Sequence, residues 1–160
     1  MQQRFIDRQH GVMMEKPLGA VDNWFEPGHQ FEWFFLLESS DVLRGTPLHA
    51  SLTRAFAYAE QTGVDKSSGA VSGMLALDGS VRDGTQRIWA QAEYLRALTL
   101  RPNSEAVLQR QLLALQQHFL HEKGWNECLD AKGVVSRRDM PSTTPYHLAT
   151  CYQGLIQHLG

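Results

Sequence analysis

The sequence predicts an all-α chain whose helices alternate with short β-hairpins, on three observations. Apolar residues fall at helical spacing in five segments. Glycine, proline and aspartate cluster between those segments, where they close turns. The helix-then-hairpin rhythm returns about every 40–50 residues, a spacing that suggests stacked helical-pair units burying their inner faces against neighbours. Five helices are too few to close such a stack into a ring.

Residues 4–16 read as an extended pair reversing at His10-Gly11, with Phe5, Ile6, Val12, Met13 and Met14 as its apolar members. Next, Glu26-Pro27-Gly28 sets a turn. The run Phe31, Trp33, Phe34, Phe35, Leu36, Leu37 is too long and too aromatic for a loop, so a buried helix is expected over about 28–39. A second helix, about 47–62, carries Leu48, Leu52, Ala55, Phe56 and Ala59 at helical spacing and stops at Gly63. Residues 69–83 are β-like, with apolar residues flanking the Asp78-Gly79 turn. A third helix, about 86–100, ends before Pro102, and a fourth, about 104–121, shows the stripe Leu108, Leu112, Leu115, Phe119. A hairpin around Asp130-Ala131-Lys132-Gly133 follows, and a last helix covers about 143–158.

The composition narrows the function. At 160 residues, 42% hydrophobic and net charge −2, the chain has the material for one domain with a real core, and no linker divides it. No lysine/arginine cluster points to nucleic acid as a partner. No apolar run approaches the ~18 residues of a membrane span, and Met1-Gln2-Gln3-Arg4 lacks a signal-peptide core. Cys128 and Cys151 have no metal-type spacing, so a cytoplasmic location with reduced thiols is expected.

Three constellations carry possible chemistry. His29 and Glu32, three apart, project from one helix face, and Glu26 precedes the turn. Such a group at a buried helix start is either a working site or a histidine–glutamate bond capping a core helix. Trp89 and Glu93, four apart, share a face of the third helix. Glu93 is either an inward carboxylate among Ala90, Ala92, Leu95, Ala97 and Leu98, or a solvated partner of Arg96 or Arg87. In Met140-Pro141-Ser142-Thr143-Thr144-Pro145-Tyr146-His147, a threonine caps a helix with proline in its first turn and His147 just inside, as a base or as a structural histidine. His118, His121 and Glu122 have a spacing that suggests a metal, but no second ligand pair supports it, and a solvated helix end explains them better. Trp125 and Asp130 complete the candidates; His10, His49 and His158 read as surface or packing residues.

Taken in order, Glu26-Pro27-Gly28-His29-x-x-Glu32-Trp33, Trp89-x-Gln91-x-Glu93 and Met140-Pro141-x-x-x-Pro145-Tyr146-His147 resemble the N-acylglucosamine 2-epimerase family, whose members include mannose isomerases and cellobiose 2-epimerases. The Asp130-Ala131-Lys132-Gly133 hairpin fits as well, and the mannose isomerase-like branch looks closest. The resemblance implies an (α/α)6 barrel with hairpins walling one mouth. It implies that His29 and His147 are the two acid/base catalysts, and that Glu32 and Glu93 orient those histidines and bind sugar hydroxyls. Trp89 would offer a stacking face to a pyranose. The implied chemistry is proton transfer through a cis-enediolate on a monosaccharide, with no metal and no cofactor, at a site that engages neither nucleic acid nor membrane.

Family members are more than twice this length, so residues 1–160 match the C-terminal part of such a domain, a partial (α/α)6 barrel. Expected partners are therefore an N-terminal half, which in the family supplies a further histidine and an arginine, or another copy in a homo-oligomer. Apolar residues at the two flanks, Phe31, Phe34 and Phe35 on one side and Leu148, Tyr152 and Leu155 on the other, are expected to lack neighbours. Two further functions compete with an isomerase or 2-epimerase. One is a non-catalytic remnant or sugar-binding fragment. The other is a glycoside hydrolase using Glu32 and Glu93, which leaves the histidines without a role.

Overall fold

A computed structural model describes residues 2–160, with side chains from residue 4 onward. A single turn, α1 (Gln2–Phe5), is followed by α2 (Pro27–Glu38) and α3 (Pro47–Gly63). The antiparallel pair β1 (Met74–Leu75) and β2 (Val81–Asp83) leads through β3 (Gln86–Arg87) into α4 (Ile88–Leu98). Then come α5 (Glu105–His118), the hairpin β4 (Leu120–His121) and β5 (Gly124–Trp125), strands β6 (Cys128–Leu129) and β7 (Val135–Arg137), and α6 (Thr144–Leu159). Strand β6 lies between β3 and β7 in a small three-stranded sheet, antiparallel to both. The chain is helical, with short hairpins between its helices.

Helix α4 is the centre. Every one of its residues is buried, and α2, α5 and α6 pack around it while α3 packs on α2. Its alanines at 90, 92 and 97 let neighbouring helices approach closely, and Phe31 and Phe34 of α2 meet Phe56 of α3 in an aromatic cluster that reaches Tyr94 of α4. Phe31, Phe34 and Leu155 are therefore covered, against the expectation that they lack neighbours. Among the flank residues named above, Tyr152 is the fully exposed one, sharing the outer face of α6 with Ile156 and Leu159.

The helix ends follow the local signals. Pro27 and Pro47 occupy first turns, where a missing N–H costs nothing, and Thr46 Oγ1 accepts the His49 N–H at 3.3 Å. Two buried glutamines staple loops to helices: Gln30 bonds both the N–H and the C=O of Met13, and Gln91 those of Val71. The Gln91 pairing gives a physical reason for an amide between Trp89 and Glu93.

Two expectations need correction. Residues 4–16 pair over a shorter stretch than expected: α1 opens the segment, and the antiparallel Ile6–Met13 bridge, flanked by the Asp7 N–H to Val12 O and Met14 N–H to Phe5 O bonds, spans the reversal at His10-Gly11, where Gly11 adopts φ 77° with Ser51 O against it. The fourth helix ends at His118 rather than near 121, because Phe119 turns inward to be buried and Gly124 at φ 141° reverses the chain into β4–β5. Among the described residues, no helix is long and apolar enough to cross a membrane.

Candidate functional site

The start of α2, the start of α4 and the start of α6 converge. They bring the side chains of His29, Trp89 and His147 together, although these lie on three different helices. The Trp89 indole lies between the two imidazoles, with ring centroids 5.0 Å from His29 and 5.3 Å from His147. The close approach depends on Gly28, where a Cβ would meet Trp89 Cζ3 at 2.6 Å. These groups border a cleft of about 260 Å³ that is also lined by Glu26, Arg87, Glu127, Thr143 and Thr144. A roomier cleft, about 570 Å³, is lined by Asp65 and His118, but these two are not hydrogen-bonded to each other, so the smaller cleft is the candidate site.

Each histidine has one nitrogen committed to a carboxylate. Nδ1 of His29 lies 2.8 Å from Glu15 Oε1, and Nδ1 of His147 lies 2.6 Å from Glu93 Oε1. Among the described residues, neither ring has a hydrogen bond at Nε2. Such a pairing fixes the tautomer and orientation of an imidazole.

The carboxylates differ in setting. Glu93 has no exposed surface, and its second oxygen receives the guanidinium of Arg96. It is therefore an inward carboxylate, paired with Arg96 out of solvent, and stands behind His147. Glu32 is half-buried and, against the expectation that it orients His29, makes no hydrogen bond to it. That role falls to Glu15, while Glu32 faces a neighbouring cleft of about 450 Å³ shared with Glu15, His29 and Trp33. A ligand atom each from Glu32, Glu93 and His147 lies within 4.8 Å of the others. Both oxygens of Glu93 are engaged, by Arg96 and His147, while Glu32 lies beside this pair without a hydrogen bond to it among the described residues.

Burial alone would lower the affinity of His29 for a proton. The hydrogen bond and charge of Glu15, with the charges of Glu26 and Glu32, outweigh it and raise the His29 pKa. Glu26 is also raised, chiefly by desolvation, against the opposing pull of His29. The cleft thus favours a protonated imidazole on its His29 side.

Glu127, absent from the sequence-derived candidates, is a buried wall residue. Its carboxylate accepts from Trp125 Nε1 at 3.1 Å and from Thr144 Oγ1 at 2.9 Å. Thr144 thus serves Glu127 rather than capping α6, and Thr143 is the N-cap without a side-chain bond. Arg87, 5.3 Å from the Trp89 ring, is the cation at the cleft. Asp130 is structural, accepting turn N–H groups from Lys132 and Val134. His118, His121 and Glu122 are all exposed at the end of α5, and His49 and His158 bond Glu38 and the Thr99 carbonyl away from the cleft.

The profile of the N-acylglucosamine 2-epimerase (GlcNAc 2-epimerase) family matches residues 3–151. The chain belongs to this family. Over 164 residues it is 32% identical to the "Mannose-6-phosphate isomerase" of Rhizobium meliloti (strain 1021), covering 91% of this chain and 42% of that protein. A solved D-mannose isomerase superposes with a TM-score of 0.71 at 24% identity, over 89% of this chain and 38% of the other. A sugar epimerase from a ruminal bacterium superposes with a TM-score of 0.77 at 17% identity, over 96% and 45%. At these identities the superpositions establish a shared fold. This family member spans less than half the length of each relative.

Proposed function

We propose that these residues form one side of the pocket of a sugar isomerase or epimerase, most simply an aldose–ketose isomerase of mannose-like sugars. The observation that carries this reading is the pair of imidazoles flanking Trp89, each with Nδ1 on a carboxylate and, among the described residues, no hydrogen bond at Nε2. The names of the relatives, a mannose-6-phosphate isomerase and a D-mannose isomerase, support the substrate class. Residues 1–160 are read as the C-terminal part of an (α/α)6-barrel domain, in keeping with the share of the solved structures that they cover.

In this reading the part of Trp89 that the two imidazoles leave uncovered borders the sugar. Nε2 of His147 takes the proton from C2 of the open-chain aldose, giving a cis-enediolate. His29, whose proton affinity its acidic surroundings raise, supplies a proton to the oxygen side and steadies the developing charge. Return of a proton to C1 yields a ketose, and to the opposite face of C2 the epimer. Glu32 binds a sugar hydroxyl, whereas Glu93 acts through His147. These steps need neither a metal nor a redox cofactor, and the partner is a neutral or phosphorylated monosaccharide.

Solvent deuterium exchange at C2 of mannose, read by NMR, tests the assignment. The chain is assayed alone and fused to the N-terminal part of the Rhizobium meliloti relative, to supply the remainder of a barrel. His147→Ala and His29→Ala are each expected to cost about 10²–10⁴ in rate. Exchange by His147→Ala at the wild-type rate overturns the role of His147. Sugar binding without exchange by the wild-type fusion favours a non-catalytic sugar-binding fragment.

A further inference from the structure

A carboxylate with no exposed surface is tolerated where its charge is answered and its oxygens are bonded. Glu93 meets both conditions through Arg96, three residues on in α4 and itself 2% exposed. The guanidinium is held at the junction of three helices: it pairs with Glu93 of α4, lies 4.3 Å from the Phe35 ring centroid of α2, and its side chain passes Gly154 of α6. Such a buried arginine does nothing for a surface. What it controls is the remaining oxygen of Glu93, which faces Nδ1 of His147 at 2.6 Å. The other histidine has no such arrangement: among the described residues, Glu15 pairs with His29 and with no lysine or arginine.

We propose that Arg96 is a positioning residue that acts on His147 through Glu93, holding Glu93 ionised and single-faced so that His147 keeps its proton on Nδ1 and presents an unprotonated Nε2 to the cleft. This rests on the reading of His147 as the base of the proposed isomerase. The charged and titratable groups around His147 are Glu93 and Arg96 of α4, Glu32 and His29 of α2, and Glu26, Arg87 and Glu127 at the cleft, with Tyr146 and Cys151 on its own helix. Arg96 is the cation that reaches the carboxylate bonded to His147. Take it away and the full charge of Glu93 falls on the imidazole, which then binds a second proton more tightly and loses its basic Nε2. The two histidines thus differ in that the carboxylate bonded to His147 carries an arginine and the carboxylate bonded to His29 does not.

The test is a titration of the histidine ring nitrogens by long-range proton–nitrogen NMR, with His147 assigned through the loss of its signals in His147→Asn. Wild-type chain is expected to show the Nδ1–H tautomer of His147 above its titration. In Arg96→Met the proton uptake of the Glu93–His147 pair is expected to move up by about one pH unit or more, the size of shift a lost neighbouring charge produces. Arg96→Lys, which keeps the charge, restores most of it. An unchanged tautomer and titration in a folded Arg96→Met chain overturns the proposal. Should that variant not fold, carbon-13 spectra of the glutamate side chains of the wild-type chain decide instead. Glu93 must stay ionised throughout the His147 titration, and a Glu93 carboxyl that takes up a proton with it overturns the proposal. If the wild-type fusion exchanges sugar hydrogen, the acid limb of its rate profile moves up with the NMR titration in Arg96→Met. These NMR arms need no turnover, so failure of the isomerase reading and failure of the Arg96 role are seen separately.

Discussion

Replacing Gly28 by alanine should destabilise the chain, although helix propensity argues the other way. Gly28 is the second residue of α2, and alanine in place of glycine within a helix gains up to about 1 kcal/mol. Here the added Cβ would stand 2.6 Å from Cζ3 and 2.7 Å from Cη2 of Trp89, and 2.9 Å from the Ala90 Cβ. Relief to an ordinary contact of about 3.4 Å requires the ring to retreat by roughly 0.8 Å. The indole is rigid, is 7% exposed, and is hemmed in by the rings of His29 and His147, so it has nowhere to go. Overpacking of this kind costs about 1–3 kcal/mol and exceeds the propensity gain. With a urea slope of about 2 kcal/mol/M, the midpoint should fall by up to ~1 M. Because Trp89 is the surface between the imidazoles, a shift of this size is also expected to lower any C2 exchange by up to about 10²-fold. Urea unfolding followed by tryptophan fluorescence measures the first effect. A Gly28→Ala chain as stable as wild type or more so would show that α2 and α4 are not pressed together at this point, and the geometry of the cleft would have to be redrawn.

Phe31→Ala removes a fully buried ring whose centroid lies 4.6 Å from Tyr94, tilted, and 5.3 Å from Phe56, edge-on, and should cost about 3–5 kcal/mol in urea unfolding; a loss under about 1 kcal/mol would mean the site collapses around the cavity. Burial pushes the Cys151 thiol up to about 12, with the charge of Glu93 adding to the effect, so Cys151 should resist a thiol reagent at pH 8 until the chain unfolds. Rapid labelling of the folded chain at Cys151 would contradict its burial on the inner face of α6. The raised His29 pKa has a signed consequence. Stability from the His29–Glu15 pair is fully present below about pH 6.5, the unfolded value, and is lost as pH rises through the higher folded value. As the His29 side chain is 37% exposed, the effect should stay below about 1 kcal/mol, and it should vanish in Glu15→Gln when melting temperatures are compared between pH 6 and 9.

The helices were legible because their signals are local. Proline at 27, 47 and 145, the glycine that stops α3, and the apolar spacing within each segment need no distant partner to act. The same holds for the placing of Trp89 and Glu93 on one face of α4, and for the family resemblance, carried by short ordered motifs. What periodicity cannot reach is a pairing made by chain return. His29 bonds Glu15, 14 positions away across a loop, rather than the Glu32 that shares its helix face, and His147 meets Glu93 across 54 positions. Glu127 and Thr144 find each other between a strand approach and a helix start, and nothing in their spacing announces it. Phe31 and Phe34 were expected at an open flank, yet α3 folds back over α2 and covers them. The sequence by itself determined the helices and the identity of the chemical groups. Tertiary structure decided which carboxylate serves which histidine, because a buried charge settles on whatever partner the packing of α2, α4 and α6 brings within hydrogen-bond reach, and that packing is set by apolar contacts far from the motifs.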